Sequence, residues 1–318
     1  MKLKHHLIVL LLSFLVLPNP AFPDDTPVGS EDRKSSESEA VDASEAVSDV
    51  AASESAEPRY LLRYQFQPGD QLRYSATQKL TQTGVAKAGR DVDFSEIQQQ
   101  RLFTVEDVSD DGMAKVAMQF EHVRMEWQSG DDTPEVFDST MAENEVPRRF
   151  KESARNLKKA APKYTVHPEG SPVNKDGEEV FPEGGQATFM IPLPAEAVPV
   201  GHSWKTNIVV KVRLDIKVNR EITLLRTYRL KSVVDDIATI GFATSVATTV
   251  KSPTVKAQLL QATPQGEIQF DLKHGRLVKK VIRIDNLALG VLGPNSMLSA
   301  VGSTVETLVE DDAAVTSR

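Results

Sequence analysis

Residues 59–74 read RYLLRYQFQPGDQLRY, and this stretch decides the fold class. Its large apolar side chains share one face of an extended chain: Tyr60, Leu62, Tyr64 and Phe66. A period of two predicts a half-buried β-strand. Pro68-Gly69-Asp70 is a turn signal, and Leu72 and Tyr74 resume the alternation after it. The stretch therefore predicts two strands joined by a tight turn.

The same alternation continues through the chain and predicts a mainly β protein. Further strands are predicted at Ile97–Val105, Met113–Trp127, Phe189–Leu193, Trp204–Val218, Glu221–Val233, Ala238–Val250, Gly266–Leu272, Arg276–Ala288 and Met297–Val309. Turn signals such as Asn219 and Asp235-Asp236 recur at short intervals, which favours antiparallel meander sheets over parallel βαβ units. We expect two similar β-rich halves that form curved sheets or a half-barrel, with one short helix between them.

Two local patterns interrupt the alternation. Apolar residues occupy even positions up to Phe120 and odd positions from Val123 onward, and such a slip predicts a β-bulge near Glu121 or His122. The short helix is predicted after Pro147, because Phe150, Ala154 and Leu157 follow at spacings of three and four. Its other faces are mostly basic. We expect Phe150 and Leu157 to dock on the sheet, and a membrane-surface helix is a minor alternative.

The first 58 residues predict export and a tether. Residues 1–22 have a basic start and an apolar run, Leu7–Leu17, that is too short to span a membrane, which predicts a signal peptide. A membrane anchor is the alternative. Residues 23–58 carry 11 acids against Arg33 and Lys34, which predicts a disordered acidic Ser/Glu/Ala linker. We interpret it as a spacer, and the alternative is a tail that binds a basic surface or cations.

The globular region, residues 59–318, carries a weak internal similarity. Residues from Gln98 align with residues from Thr223 at a shift of 125, and Gly69 aligns with Gly201 at a shift of 132. Phe137-Asp138 aligns with Phe270-Asp271 at a shift of 133. These matches predict a duplicated unit, with repeat one at about 59–146, the helix at 147–160 and repeat two at about 161–310.

The stretch VPVGHSWKTN, residues 198–207, has two interpretations. His202 and Ser203 beside a glycine resemble the edge of an active site. The repeat favours a turn, because Gly201 occupies the place of Gly69 and Ser203 the place of Gln71, which is no nucleophile. We therefore predict that Gly201 forms the turn, that Trp204 is buried as the next strand begins, and that His202 faces solvent.

Several of these turn and strand residues resemble a family of uncharacterised exported bacterial proteins. The resemblance rests on Leu193-Pro194, Val198–Gly201, Ser203-Trp204, Thr227-Tyr228, Gly266, Phe270-Asp271 and Gly275. It covers roughly Leu61 to Val309 and implies export and a similar layout. The chain departs from the pattern at His202, where the family would have Asp. The resemblance implies no catalytic residues.

The rest of the sequence gives no chemical motif. His122, His167, His202 and His274 have no metal-like spacing, and no phosphate loop, nucleophile elbow or dinucleotide fingerprint occurs. Asn174, Asp176 and Glu179 resemble part of a calcium loop, but a solvated turn is favoured because the full spacing is missing. The chain has no cysteine. We predict no enzyme, and no catalytic, cofactor-binding or metal-binding residue and no cofactor.

Two functions remain from the sequence. The first is an exported, periplasmic or extracellular, non-enzymatic binding or scaffold protein of the bacterial cell envelope. The alternative is a carrier of a lipid or another hydrophobic ligand in a half-barrel cavity. The predicted partner is an envelope protein or a hydrophobic ligand. Nucleic acid is not expected, because the body is nearly neutral, and no stable membrane span is expected after signal removal.

Overall fold

The predicted alternation folds into one antiparallel sheet of twelve strands. A computed structural model describes residues 57–159, 163–173, 190–215 and 218–309. The predicted signal peptide, most of the acidic linker and the calcium-like turn lie outside them. The strands are β1 (Arg59–Tyr60), β2 (Gln71–Ala86), β3 (Gly89–Val108), β4 (Ala114–Ser129), β5 (Glu135–Asp138), β6 (Lys163–Val166), β7 (Pro172–Val173), β8 (Val198–Pro199), β9 (Ser203–Asp215), β10 (Val218–Val234), β11 (Ile237–Val246), β12 (Gln265–Asp271), β13 (Arg276–Leu289) and β14 (Met297–Val309).

Two meanders make up this sheet. The strand order is β7-β6-β4-β3-β2-β14-β13-β12-β11-β10-β9, with β5 also paired to β4. The last strand, β14, pairs with β2 from Met297↔Val85 to Val309↔Arg73 and so joins the two meanders. β1 and β8 form a separate two-stranded sheet. The prediction of a mainly β, antiparallel meander fold is confirmed.

The sheet is strongly curved, as the contacts of Tyr64 show. Its backbone N–H donates to Pro168 O at 2.8 Å, just after β6, while its ring lies 5.1 Å from the ring of Phe270 in β12. These two strands are six positions apart in the sheet, which is ~29 Å in a flat sheet with strands ~4.8 Å apart. One residue reaches both because the sheet curls around it. We call the face that carries Phe270 the inner face.

The centre of the inner face is a packed core. Residues 61–67 cross it, and residues 190–194 link its two sides, because Leu193 N donates to Glu169 O at 2.7 Å and Trp204 Nε1 donates to Pro192 O at 2.8 Å. The largest fully buried side chains there are Tyr74, Tyr228, Phe103 and Phe270. Side chains from both meanders therefore fill this part of the curved sheet.

One buried ion cluster lies next to this core. The Glu306 carboxylate, 2% exposed, accepts from Arg101 at 2.6 Å and pairs with Lys280 Nζ at 2.8 Å. Burial alone would raise the pKa of Glu306, but the two cations lower it below its usual value. The cluster connects β3, β14 and β13 across the inner face.

Two helices pack on the inner face beyond the core. α1 (Lys151–Leu157), which continues a 3₁₀ turn at Arg148–Phe150, packs on β4 and β5 through Phe150 and Leu157, as predicted. α2 (Pro253–Gln258) packs on β9 and β10 through Val255 and Leu259. α2 is not among the predicted elements, although Ser252 caps its first turn and Pro253 begins it.

Of the remaining local predictions, one is confirmed and three are wrong. The bulge is confirmed, because Gln100 pairs with His122 and Arg101 pairs with Phe120, which leaves Glu121 as the extra residue. Residues 61–66 are not a strand, since their backbone bonds to loop atoms. Residues 190–193 are not a strand either. Asn219 is not a break between strands, because it lies within β10 and pairs with Arg213 of β9.

Candidate functional site

The GHSW stretch is a turn that enters a strand. Gly201 has φ of 92° and its N–H donates to Leu230 O at 2.7 Å. Gly69 has φ of 91° and donates to Val105 O at 2.8 Å. A positive φ of this size favours glycine. The two turns have the same geometry, and the duplication of the whole unit stays a prediction.

The neighbouring residues of this turn show no assembled chemistry. His202 and Ser203 are exposed, and the imidazole stacks on Trp204 with ring centres 6.4 Å apart. Trp204 stacks in turn on Tyr228 at 5.5 Å. Trp204 is half-buried rather than buried, because one side of its ring faces the exposed imidazole. The solvent-facing position predicted for His202 is confirmed.

The other three histidines of the described chain each face a carboxylate. His122 Nε2 lies 3.0 Å from Asp138 Oδ2, His274 Nδ1 lies 2.6 Å from Asp271 Oδ2, and His167 contacts Glu169. The pairs of His167 and His274 are local in sequence, whereas only the fold brings His122 and Asp138 together. In the described ranges, no group of three potential metal ligands forms.

His122 lies at the edge of a cleft between α1 and the sheet, which we call the α1 cleft. Its volume is about 330 Å³. Its floor is apolar and consists of Phe120, Val123, Phe137, Met141, Val146 and Leu157. Its rim is charged and consists of Glu121, His122, Glu143, Lys151, Arg155 and Lys158. The cleft therefore offers an apolar surface beside a ring of mixed charge.

The floor exists because of the bulge at Glu121. The extra residue keeps Val123 and Met125 on the inner face with Phe120, which would otherwise point to opposite sides. Val123 is fully buried, and the ring of Phe137 in β5 stacks on that of Phe150 with centres 6.0 Å apart. The floor is thus held by a paired strand and an aromatic contact, and its shape is set before any ligand arrives.

The acids of the rim already have cationic partners. Glu121 makes two contacts with the guanidinium of Arg73, at 2.7 Å and 3.0 Å, and this lowers the pKa of Glu121. Glu143 lies 3.4 Å from Lys158 Nζ. Hydrogen bonds from Thr140, and then from His122, lower the pKa of Asp138 behind the rim. Glu121 and Asp138 are therefore ionised at neutral pH, and each of the three carboxylates has a basic partner.

The α1 cleft shows no assembled nucleophile. Ser139 lines it, but Ser139 Oγ accepts from Val123 N at 3.1 Å, and His122 is engaged by Asp138. A serine nucleophile needs a base within hydrogen-bonding reach, and no bond of the described residues joins Ser139 to His122. The absence of enzymatic activity stays a prediction.

Sequence reasoning missed the α1 cleft, although two of its signals are in the sequence. The parity slip at Glu121 and the basic faces of the helix after Pro147 mark its two walls. Their juxtaposition depends on β5 and on the loop that carries Met141. Neither segment has a pattern strong enough to be placed from sequence.

Comparison with known families identifies part of the chain. Residues 174–277 match a family of unknown function (DUF6263). The expected resemblance to an uncharacterised family is confirmed over this stretch. The DUF6263 match includes Gly201 and Trp204 and ends at Leu277, so it does not include the α1 cleft. No curated protein matches the sequence.

The chain is also similar to two solved structures. One is lipovitellin, studied for its lipid–protein interactions, with a TM-score of 0.43 and 9% identity over 80% of this chain. The chain spans 26% of that lipovitellin chain. The other is DynF from the dynemicin biosynthesis pathway of Micromonospora chersina, with a TM-score of 0.20 and 7% identity over 81% of this chain and 89% of DynF. Both TM-scores are too low to carry a functional argument. The described helices include none long and apolar enough to cross a membrane.

Proposed function

We propose that this protein is an exported, non-enzymatic binding protein of the cell envelope, and that the α1 cleft holds the apolar part of a small ligand. The observation that carries the proposal is the cleft itself. Ligand pockets typically measure about 300–1,000 Å³ and combine an apolar lining with a few polar groups. The α1 cleft, at about 330 Å³, meets both criteria and lies at the lower end of that range.

The α1 cleft suits a ligand better than the centre of the curved sheet does. The centre is occupied by the chain's own side chains, among them Leu62 and Tyr64, and Tyr64 Oη accepts from Ile191 N at 2.9 Å. A ligand there would have to displace this buried hydrogen bond. By contrast, the α1 cleft has half-buried floor residues, such as Phe120 and Met141, that a ligand would cover.

The size of the α1 cleft limits what apolar contact alone contributes. About five buried methylene groups, at about 0.8 kcal/mol each, give about 4 kcal/mol, which corresponds to a dissociation constant near 1 mM. Costs of immobilising the ligand reduce this further. Apolar contact therefore supports capture but not tight binding, and the charged rim becomes important for affinity.

The test uses a neutral fluorescent probe, N-phenyl-1-naphthylamine, whose emission rises in apolar surroundings. We expect the purified protein to bind it, and Met141→Trp, which fills the α1 cleft, to weaken binding at least tenfold. The matched control is Met113→Trp, a half-buried methionine in the turn before β4, and it should bind like the unmodified protein. Equal binding by Met141→Trp would exclude the α1 cleft as the site.

A scaffold role is the second candidate, and β9 favours it. β9 is thirteen residues long and lies at one edge of the sheet, with no partner strand on its outer side within the described ranges. The Gln258 side chain bonds both N and O of Arg213 at 2.8 Å and protects only that point. An extended segment of another protein could add to such an edge. A photocrosslinker at Asn207 should capture one envelope protein, and the same probe at Lys79, within the sheet, should not.

A further inference from the structure

We propose that the ligand of the α1 cleft is an anionic amphiphile, whose tail covers the apolar floor and whose charged group is held by Lys151 and Arg155. This inference rests on the proposed function. It adds the chemical class of the ligand, which the shape and apolar lining of the cleft do not give.

The charges of the rim do not balance within the described chain. Glu121 is bound by Arg73, Glu143 pairs with Lys158, and Asp138 pairs with His122. Each acid that lines the α1 cleft, Glu121 and Glu143, therefore has its own cation. Lys151 and Arg155 remain, and neither makes an ion pair with another described residue.

These two cations lie on the same side of α1. Residues four apart on a helix are neighbours, and two like charges at this spacing repel each other. Both side chains are exposed and line the α1 cleft. Glu152, the one acid of α1, does not line it. An anion placed between the two cations would weaken their repulsion, and a single negative charge would compensate one of the two positive charges.

The helix is also fixed relative to the floor. Phe150 is 6% exposed and stacks on Phe137, and Ser153 is 1% exposed against the sheet side of α1. The positions from which the two cations extend are therefore set by packing. A guanidinium binds a carboxylate or a phosphate oxygen pair with two parallel hydrogen bonds, and an ammonium adds a point charge.

The test compares laurate with dodecanol, which has the same tail without the charge, in displacement of the naphthylamine probe from the full chain. We expect laurate to bind more tightly. The double variant Lys151→Gln/Arg155→Gln should bind laurate about threefold to thirtyfold more weakly, as expected for two exposed ion pairs, and should bind dodecanol unchanged. The preference for laurate should also shrink as salt is added.

The matched control is Arg148→Gln/Lys159→Gln, which removes two exposed cations from the same helical segment without touching the α1 cleft. It should keep the preference for laurate. A charge-reversed protein, Lys151→Glu/Arg155→Glu, should bind dodecyltrimethylammonium more tightly than laurate. Equal affinity of the unmodified protein for laurate and dodecanol would overturn the inference while leaving the proposed function intact. Failure of both laurate and dodecanol to displace the probe would refute the inference and the proposed function together.

Discussion

Replacement of Glu306 by Gln should destabilise this protein strongly. The carboxylate is 2% exposed and lies between Lys280 Nζ at 2.8 Å and the Arg101 guanidinium at 2.6 Å. Glutamine has nearly the same shape but no charge, so two poorly solvated cations would remain without their anion. The change therefore tests electrostatics with little change in packing.

The magnitude follows from the burial of the cluster. Removal of one partner from a buried ion pair typically costs about 3–5 kcal/mol, because the remaining charge is not compensated. Folded domains are stable by only about 5–15 kcal/mol, so the loss is a large fraction of the total. The triple change Arg101→Met/Lys280→Met/Glu306→Leu removes all three charges and should cost less than Glu306→Gln alone.

The assay is urea unfolding followed by circular dichroism, at neutral and acidic pH. Because the pKa of Glu306 is lowered in the folded state, its ionised form stabilises the fold above the unfolded pKa, which is near 4.5. This contribution is lost as pH falls through the lower, folded pKa. The stability difference between the unmodified protein and Glu306→Gln should therefore narrow as the pH falls below about 4.5.

Two results would refute this reasoning. One is a Glu306→Gln protein within about 1 kcal/mol of the unmodified protein at neutral pH, which would mean that water reaches the cluster. The other is a stability difference that does not change with acid. The triple variant separates the explanations, since a packing defect alone would make it the least stable of the three proteins.

Four other substitutions test the packing of the curved sheet, each by thermal or urea unfolding. Gly266→Ala should prevent normal pairing of β12 with β13, because a Cβ atom there would lie 1.9 Å from Val281 O; a normal melting curve would contradict this. Trp204→Ala should lower the free energy of unfolding by about 2–3 kcal/mol, which is less than the ~3–5 kcal/mol lost with a fully buried aromatic residue. His202→Ala should change the free energy of unfolding by no more than about 0.5 kcal/mol. Equal losses for the two variants would contradict the half-buried position of Trp204. Tyr64→Phe should cost about 1–3 kcal/mol, because Ile191 N loses its buried acceptor, and an unchanged stability would show that another group replaces it.

The strand pattern could be predicted from sequence because apolar side chains of the inner face recur at every second position over long stretches. β14 was predicted with its observed bounds, and the bulge was visible because it reverses the parity of the pattern at Glu121. Residues 61–66 show the limit of this reasoning. Their period of two is that of a strand, but Tyr64 N and Gln65 N bond to Pro168 O and Gly275 O in loops. The pattern reports an extended, half-buried chain and does not report its partner.

The candidate site was less predictable because it depends on residues that are far apart in the sequence. His122 and Asp138 meet through the pairing of β4 with β5, and β5 is only four residues long. α2 was also missed, although Ser252 and Pro253 are a helix-start signal, because its six residues are too few for a helical period to be visible. Short elements whose burial depends on distant partners carry too few residues for a periodic signal.

The most direct test of the account is where a fatty acid contacts the protein. With ¹³C-labelled methionine methyl groups, the six methionines that follow the predicted signal peptide report on different parts of the chain in a single spectrum. We expect laurate to shift the Met141 methyl signal, on the floor of the α1 cleft, and to leave Met113 and the core residue Met190 unchanged. A shift of Met190 without Met141 would place the ligand in the centre of the curved sheet, and saturating laurate without any shift would contradict a ligand-binding α1 cleft.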